Sequence, residues 1–415
     1  MIARMSHPEV AWLFVFRDPP PWQFLLFLPL YVLSLCLWPH DRTRVWSRAL
    51  SSLILFGLYL SIRIGQYGDL TWTEISAVTG PDSPVAGLMS TLLSSSLLAQ
   101  LTYVVMVLLH LPTTVLAPAS GVACAFVFFK TIDTFFFYKE EHASKSWQPS
   151  LGAFLYLGSG LHWLFFFGFL EVSFLSTPFF LLFLLFGIRY LRSDEHESRS
   201  QLLLSALSLS FACLIHGQNT FLLPALPALV LLRQWGHGWR PISREVFFAL
   251  GAAAALVVIV VLILMLAGFT IVVGDSNGGP GGPFVPLTID KPTEYNWYPF
   301  FSFTHFVFVE NILELLVPLS ITIPFIVGLR WFRRESWSLS ETFLCITSLG
   351  YFAFIVLWNF DLGFPRDVDL MLSMGVPLLL MIWILLRRLP LWMGLIIGAV
   401  NIFLAWGVIA FAVGS

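Results

Sequence analysis

Glu310 and Glu314, in the segment HFVFVENILELL, are four residues apart, so a helix places both carboxylates on one face with His305 about a turn earlier. Two carboxylates and an imidazole can ligate a divalent cation or hold a proton, and the same groups can instead hydrogen-bond neighbouring helices. Asp367-Val368-Asp369, in LGFPRDVDL, is a D-x-D just before an apolar run. Such a pair can hold a metal diphosphate, with magnesium or manganese as the ion and Glu310 as a further candidate ligand; it can also cap the helix that follows. Arg366 beside it suits a phosphate, or a salt bridge to Asp361 or Asp367. Asp69, in YGDLTWTE, is placed to take a proton from a hydroxyl acceptor, or to be a solvated loop acid. Glu171 closes an aromatic run holding Phe165, Phe166, Phe167 and Phe169, where a carboxylate must be paired or hydrated. His216 and Asn219, in CLIHGQNTF, mark a tight hairpin whose carbonyls they can satisfy.

The elements that carry these residues must live in a membrane. The 415 residues are 58% hydrophobic and 11% charged, with mean hydropathy +0.84, whereas a soluble chain is about 25% charged and about 45–50% apolar. With 22 basic against 24 acidic residues there is no positive surplus for nucleic acid. Cys36, Cys124, Cys213 and Cys345 sit singly in apolar runs, without the spacing of a disulfide framework or a zinc site. The nucleotide loop G-x-x-x-x-G-K-[ST], the G-x-S-x-G elbow and the H-E-x-x-H helix are absent. The first residues, MIARMSHPEVAWLFVFRDPPPW, lack the layout of a cleaved signal, and residues 1–415 read as a single integral membrane domain.

Apolar runs predict an all-α polytopic bundle of about twelve spans (11–13): 22–39, 46–64, 112–138, 151–170, 177–190, 200–216, 220–233, 246–273, 304–329, 341–358, 370–386 and 390–412. Residues 65–111 form the first large outer loop. Its Ser-rich stretch 85–111 is expected to lie in the interface as helix without crossing, because one extra crossing would set the early basic clusters against all the later ones. With that arrangement, 16 of the 22 basic residues fall in alternate loops: Arg42, Arg44, Arg48; Lys139, Lys145; Arg189, Arg192, Arg199; Arg233, Arg240, Arg244; Arg330, Arg333, Arg334; Arg387 and Arg388. Basic residues are retained on the cytoplasmic side, so these loops are expected there. The opposite loops, including the Gly/Pro-rich 274–302, collect Asp69, Glu171, Asp275, Asp290, Glu294 and the Asp367–Asp369 pair.

The order of these features resembles the GT-C superfamily of polytopic glycosyltransferases: a span, an outer loop with an acid (YGDLTWTE), a membrane-surface segment (SPVAGLMSTLL), then many short-looped spans. GFLEVS, LIHGQNTFLLPAL, HFVFVENILELLVPL and LGFPRDVDL also look like segments of a bacterial set of GT-C-like membrane proteins. The resemblance covers roughly residues 46–386. It implies a GT-C-like fold in a bacterial inner membrane, a polyprenyl-phosphate sugar as donor, and membrane lipids as surroundings. It implies Asp69 as the base for the acceptor hydroxyl, Glu171, His305 and Asp367 as donor or metal contacts, and Arg366 at the lipid phosphate. The sequence departs from many members in its leading span at 22–39, in lacking an adjacent acidic pair at Asp69, and in lacking a large C-terminal soluble domain. Two other functions suit the same residues. One is a transporter or flippase using Glu171, Glu310 and Glu314, with spans broken at Pro318 and Pro324; the other is a non-catalytic membrane scaffold that keeps only the fold.

Overall fold

A computed structural model describes residues 52–53, 56–57, 91–93, 96–109, 115–137, 173–272, 284–288, 298–317, 327–328, 330–332, 334, 336–358, 372–386, 392, 396 and 399–400. In chain order the elements are β1 (Thr91–Leu93), α1 (Leu97–Leu108), α2 (Leu116–Phe137), α3 (Ser173–Arg192), α4 (Glu195–Ile215), a 3-10 helix (Gly217–Leu222), α5 (Ala225–Gln234), α6 (Trp239–Leu266), β2 (Thr270–Val272), α7 (Phe303–Leu316), α8 (Leu339–Leu357) and α9 (Leu372–Leu386). Among the described residues five helices, in α2, α3, α4, α6 and α8, are long and apolar enough to cross a membrane. The protein is a multi-pass helical membrane protein. The expected spans 22–39 and 151–170 and most of 46–64 and 390–412 lie outside the described residues, as do most of 274–302 and, in the first outer loop, residues 65–90, so the count of twelve is carried by the sequence alone.

Helix boundaries follow local chemistry. At the start of α8, Ser338 and Glu341 form a reciprocal cap: the Ser338 Oγ accepts from the Glu341 N–H at 3.2 Å and the Glu341 carboxylate accepts from the Ser338 N–H at 2.8 Å. At α4, Glu195 and Glu197 occupy the first turn, where carboxylates meet the positive helix end, and Arg189 and Arg192 sit in the last turn of α3, where cations meet the negative one.

Three expected boundaries move. The run 220–233 divides at Leu223 and Pro224 into the 3-10 helix and the ten-residue α5; at 1.5 Å per residue α5 is about 15 Å long, half a hydrocarbon core. The span expected at 246–273 starts earlier, at Trp239, and stops at Leu266, because Gly268 takes φ +90 and turns the chain out of the helix. The β-branched Thr270, Ile271 and Val272 beyond it are a strand, paired in parallel with β1 in the register Thr91↔Thr270, Leu92↔Ile271, Leu93↔Val272. The stretch 85–111 contains β1 and the twelve-residue α1, which alone is shorter than the roughly 20 residues of a span. Among the described residues the bundle is therefore helical with one small two-stranded addition.

Helix α3 is central, packed on α2 and α4; α4 continues onto α6, and α8 lies against α5 and α9. Aromatic side chains fill the middle. Phe180 meets Tyr351 edge-on at 5.2 Å, Phe183 meets Phe343 at 5.6 Å, and Phe135 meets Trp383 at 5.8 Å. Gly187 on α3 permits the approach of α8, since a Cβ there would stand 2.7 and 2.8 Å from two carbons of the Phe343 ring. Phe343 is fully buried and cannot swing clear. Gly187→Ala is therefore expected to destabilise by about 1–3 kcal/mol, the usual cost of overpacking a core. Thermal unfolding in detergent measures it, and an unchanged midpoint would show that the ring yields.

The two ends of this bundle differ. At one, the C-termini of α2, α3 and α5 meet the N-termini of α4, α6 and α8. Arg192 there donates to the Thr134 carbonyl at 2.8 Å and to Ser340 Oγ at 3.1 Å; Arg233 donates to the Tyr190 and Ser193 carbonyls; Tyr190 donates to the Glu245 carboxylate. Arg330 faces Glu341 at 3.5 Å, with side chains only 5% and 2% exposed, and covers the Trp337 ring at 4.3 Å. The described arginines of the basic loops thus gather at this end. Leu92, Leu97, Leu214 and Leu264 form a small apolar cluster at the other end, where β1 and β2 pair.

Candidate functional site

The end opposite the arginines holds two of the segments whose polar residues suggested chemistry, the turn at residues 216–219 and the start of α7. The His216–Phe221 turn links α4 to α5 there. The C-terminus of α8 meets it, Val285 donates its N–H to the Leu357 carbonyl at 2.9 Å, and Phe300 donates to the Pro286 carbonyl at 2.8 Å. Residues 284–288 and 298–302 of the Gly/Pro-rich loop are thereby tied to α8 and to the start of α7.

His305 lies in the first turn of α7, 5% exposed. Its N–H donates to Ser302 Oγ at 3.1 Å, which caps the helix, and its Nδ1 sits 2.7 Å from the Phe300 carbonyl. The ring also lies near the Val356 backbone, stacks on Tyr298 at 5.4 Å, and leans on Phe300 at 5.3 Å. Its geometry fits a staple joining 298–302, α7 and the end of α8. Glu310 lies further along α7, half-buried. Among the described residues no three His, Cys, Asp or Glu side chains come together as a metal site. Glu314 is on α7, and its side chain lies outside the described residues, as do Asp69, Glu171, Arg366, Asp367 and Asp369.

The HGQN turn is built tightly. Asn219 is fully buried; its Nδ2 donates to the Ala212 and His216 carbonyls at 3.0 Å each, ending α4, and its Oδ1 accepts from the Tyr351 hydroxyl of α8. His216 Nδ1 accepts from the Gln218 N–H at 3.4 Å, which leaves the proton of the neutral ring on Nε2. The structure thus gives His216 and Asn219 a capping role, and adds two residues that the sequence did not single out, Tyr351 and Gln218. Gln218 stood between the two residues already marked; Tyr351 has no local signal, since its partner is 132 positions away.

His216 lies past the last residue of α4, and burial disfavours its charged form, holding its pKa down at about 4. An unfolded histidine titrates near ~6.5. Because the fold favours the neutral ring, the stability this group contributes is complete above about pH 6.5 and is lost as pH falls towards about 4. The unfolding midpoint in detergent should decline across that window, and His216→Asn, which keeps a capping acceptor, should flatten the decline. An identical decline in the variant would assign it to another group.

These features define the class: a multi-pass helical bundle with an arginine-rich end and an opposite end where short turns, a 3-10 helix and a histidine staple converge. No protein-family model matches the sequence, and no curated protein matches it significantly. Among solved structures, the crystal structure of ArnT from Cupriavidus metallidurans bound to undecaprenyl phosphate is similar, with a TM-score of 0.53 at 14% identity, over 86% of this chain and 63% of that one. The chain therefore has a GT-C-like fold, as the order of its motifs implied, and spans about 63% of the length of that protein.

Proposed function

We propose that this protein is an integral membrane glycosyltransferase of GT-C type, transferring a sugar from a polyprenyl-phosphate donor to an acceptor on the extracytoplasmic face of a bacterial inner membrane. The observation that carries the reading is the fold shared with a structure holding undecaprenyl phosphate, itself a polyprenyl phosphate. The gathering of described arginines at one end supports the sidedness, with that end cytoplasmic and the HGQN turn and His305 extracytoplasmic.

The chemistry is an inverting displacement. The acceptor oxygen forms a bond to the anomeric carbon as the bond from that carbon to the phosphate oxygen breaks, and the lipid phosphate leaves with the electron pair. Asp69 takes the acceptor proton, and Arg366 offsets charge on the departing phosphate. Glu171 and Asp367 contact the donor, and Asp367, Asp369 and Glu310 are the residues for a magnesium or manganese ion. His305, already engaged by backbone groups, holds the 298–302 segment that borders the site.

Purified protein given radiolabelled polyprenyl-phosphate sugars and a membrane lipid extract as acceptor should move label out of the donor pool, with EDTA reading out any need for a divalent cation. Failure of transfer from both hexosyl and pentosyl donors would overturn the reading.

A further inference from the structure

Gln218 is 7% exposed, yet neither its Oε1 nor its Nε2 has a hydrogen-bond partner. Leaving a buried donor or acceptor unmade destabilises a fold, and native folds leave few such groups. Its neighbours show no such lack: Asn219 is held on both sides of its amide, and His216 accepts at Nδ1. The turn is thus pinned around a carboxamide that the protein itself does not satisfy.

Two further observations limit what could meet it. Between His216 and Leu232 the sequence has no charged side chain, so the turn brings no cation of its own to a phosphate. In a 3-10 helix, side chains three apart eclipse, so Gln218 shares a face with Phe221. Phe221 packs on Phe354 at 4.8 Å and on Trp358 at 6.1 Å, and Trp358 meets the half-exposed Phe284 at 6.3 Å. A neutral amide offering two donors and one acceptor oxygen, on the helix face that also carries Phe221, is the complement of a polyol: adjacent hydroxyls for the amide and a C–H face for the ring.

We propose that Gln218, on the turn held by His216 and Asn219, is a subsite for the sugar hydroxyls of the lipid-linked donor. This rests on the glycosyltransferase reading and adds a named contact for the sugar as distinct from the phosphate. The discriminating variant is Gln218→Leu, similar in volume and without polar atoms. Removing an unmet buried amide leaves the unfolding midpoint equal or higher, whereas removing a structural hydrogen bond lowers it.

The experiment measures binding of bare undecaprenyl phosphate and of undecaprenyl phosphates carrying a hexose or a pentose, to wild type and to Gln218→Leu in detergent. Wild type should bind one sugar-bearing form about tenfold tighter than the bare lipid, and Gln218→Leu should bind the bare lipid equally well while losing that tenfold preference. A variant that keeps the preference, or whose midpoint drops, overturns the subsite. Wild type binding bare and sugar-bearing lipids alike overturns the subsite and leaves the lipid-phosphate reading standing. Wild type binding none of these lipids overturns both.

Discussion

Asp69→Asn is expected to slow sugar transfer by about 10²–10⁴-fold, the usual contribution of a positioned general base, with the protein still folded. Asparagine matches the carboxylate in shape and cannot take the acceptor proton. The loss should therefore appear in kcat, with KM for the lipid donor little changed, because the role proposed for Asp69 is at the acceptor and that for Arg366 at the phosphate. Asp69 lies outside the described residues, so the expectation comes from its place in YGDLTWTE between a span and the membrane-surface segment. Initial rates with labelled donor test it, and an undiminished rate in the variant would remove Asp69 as the base.

Glu341→Ala should produce the largest loss of stability. The Glu341 carboxylate is 2% exposed, faces the Arg330 guanidinium, and caps α8 through the Ser338 N–H. Deleting one partner of a buried pair costs about 3–5 kcal/mol, because the remaining charge loses its counter-charge in a place where water cannot replace it. Replacing both residues together by leucine should cost less than the single change, since no lone buried charge remains. Unfolding midpoints of both variants decide the matter: a double variant no more stable than Glu341→Ala would contradict a charge-pair origin.

Much of this architecture was legible in the sequence. Helices α2, α3, α4 and α8 fall within a few residues of the expected spans, because long apolar runs bounded by charge leave a chain in lipid few alternatives. Those arginines of the basic loops that are described do meet at one end of the bundle. The Ser338-x-x-Glu341 cap is likewise a pattern visible before an apolar run. What local pattern could not supply was long-range pairing. The 3-10 helix at Gly217–Leu222 and the short α5 depend on Asn219 meeting Tyr351, and β2 depends on a partner near residue 91. The contacts of His305 likewise depend on the Phe300 carbonyl and on the end of α8, whose placement no spacing rule predicts. Among the expected site residues, the structure describes the side chains of His305 and Glu310.

The pairing of β1 with β2 has a consequence for how the protein is made. Thr91 and Thr270 are 179 positions apart, and the α1, α2, α3, α4, α5 and α6 segments lie between them. At roughly 5–20 residues per second, ribosomal synthesis separates the two strands by about 10–40 s. For that interval the Thr91–Leu93 backbone must be sheltered at the membrane surface by water, lipid headgroups or the insertion machinery, and the opposite end of the bundle closes only after α6 has been threaded.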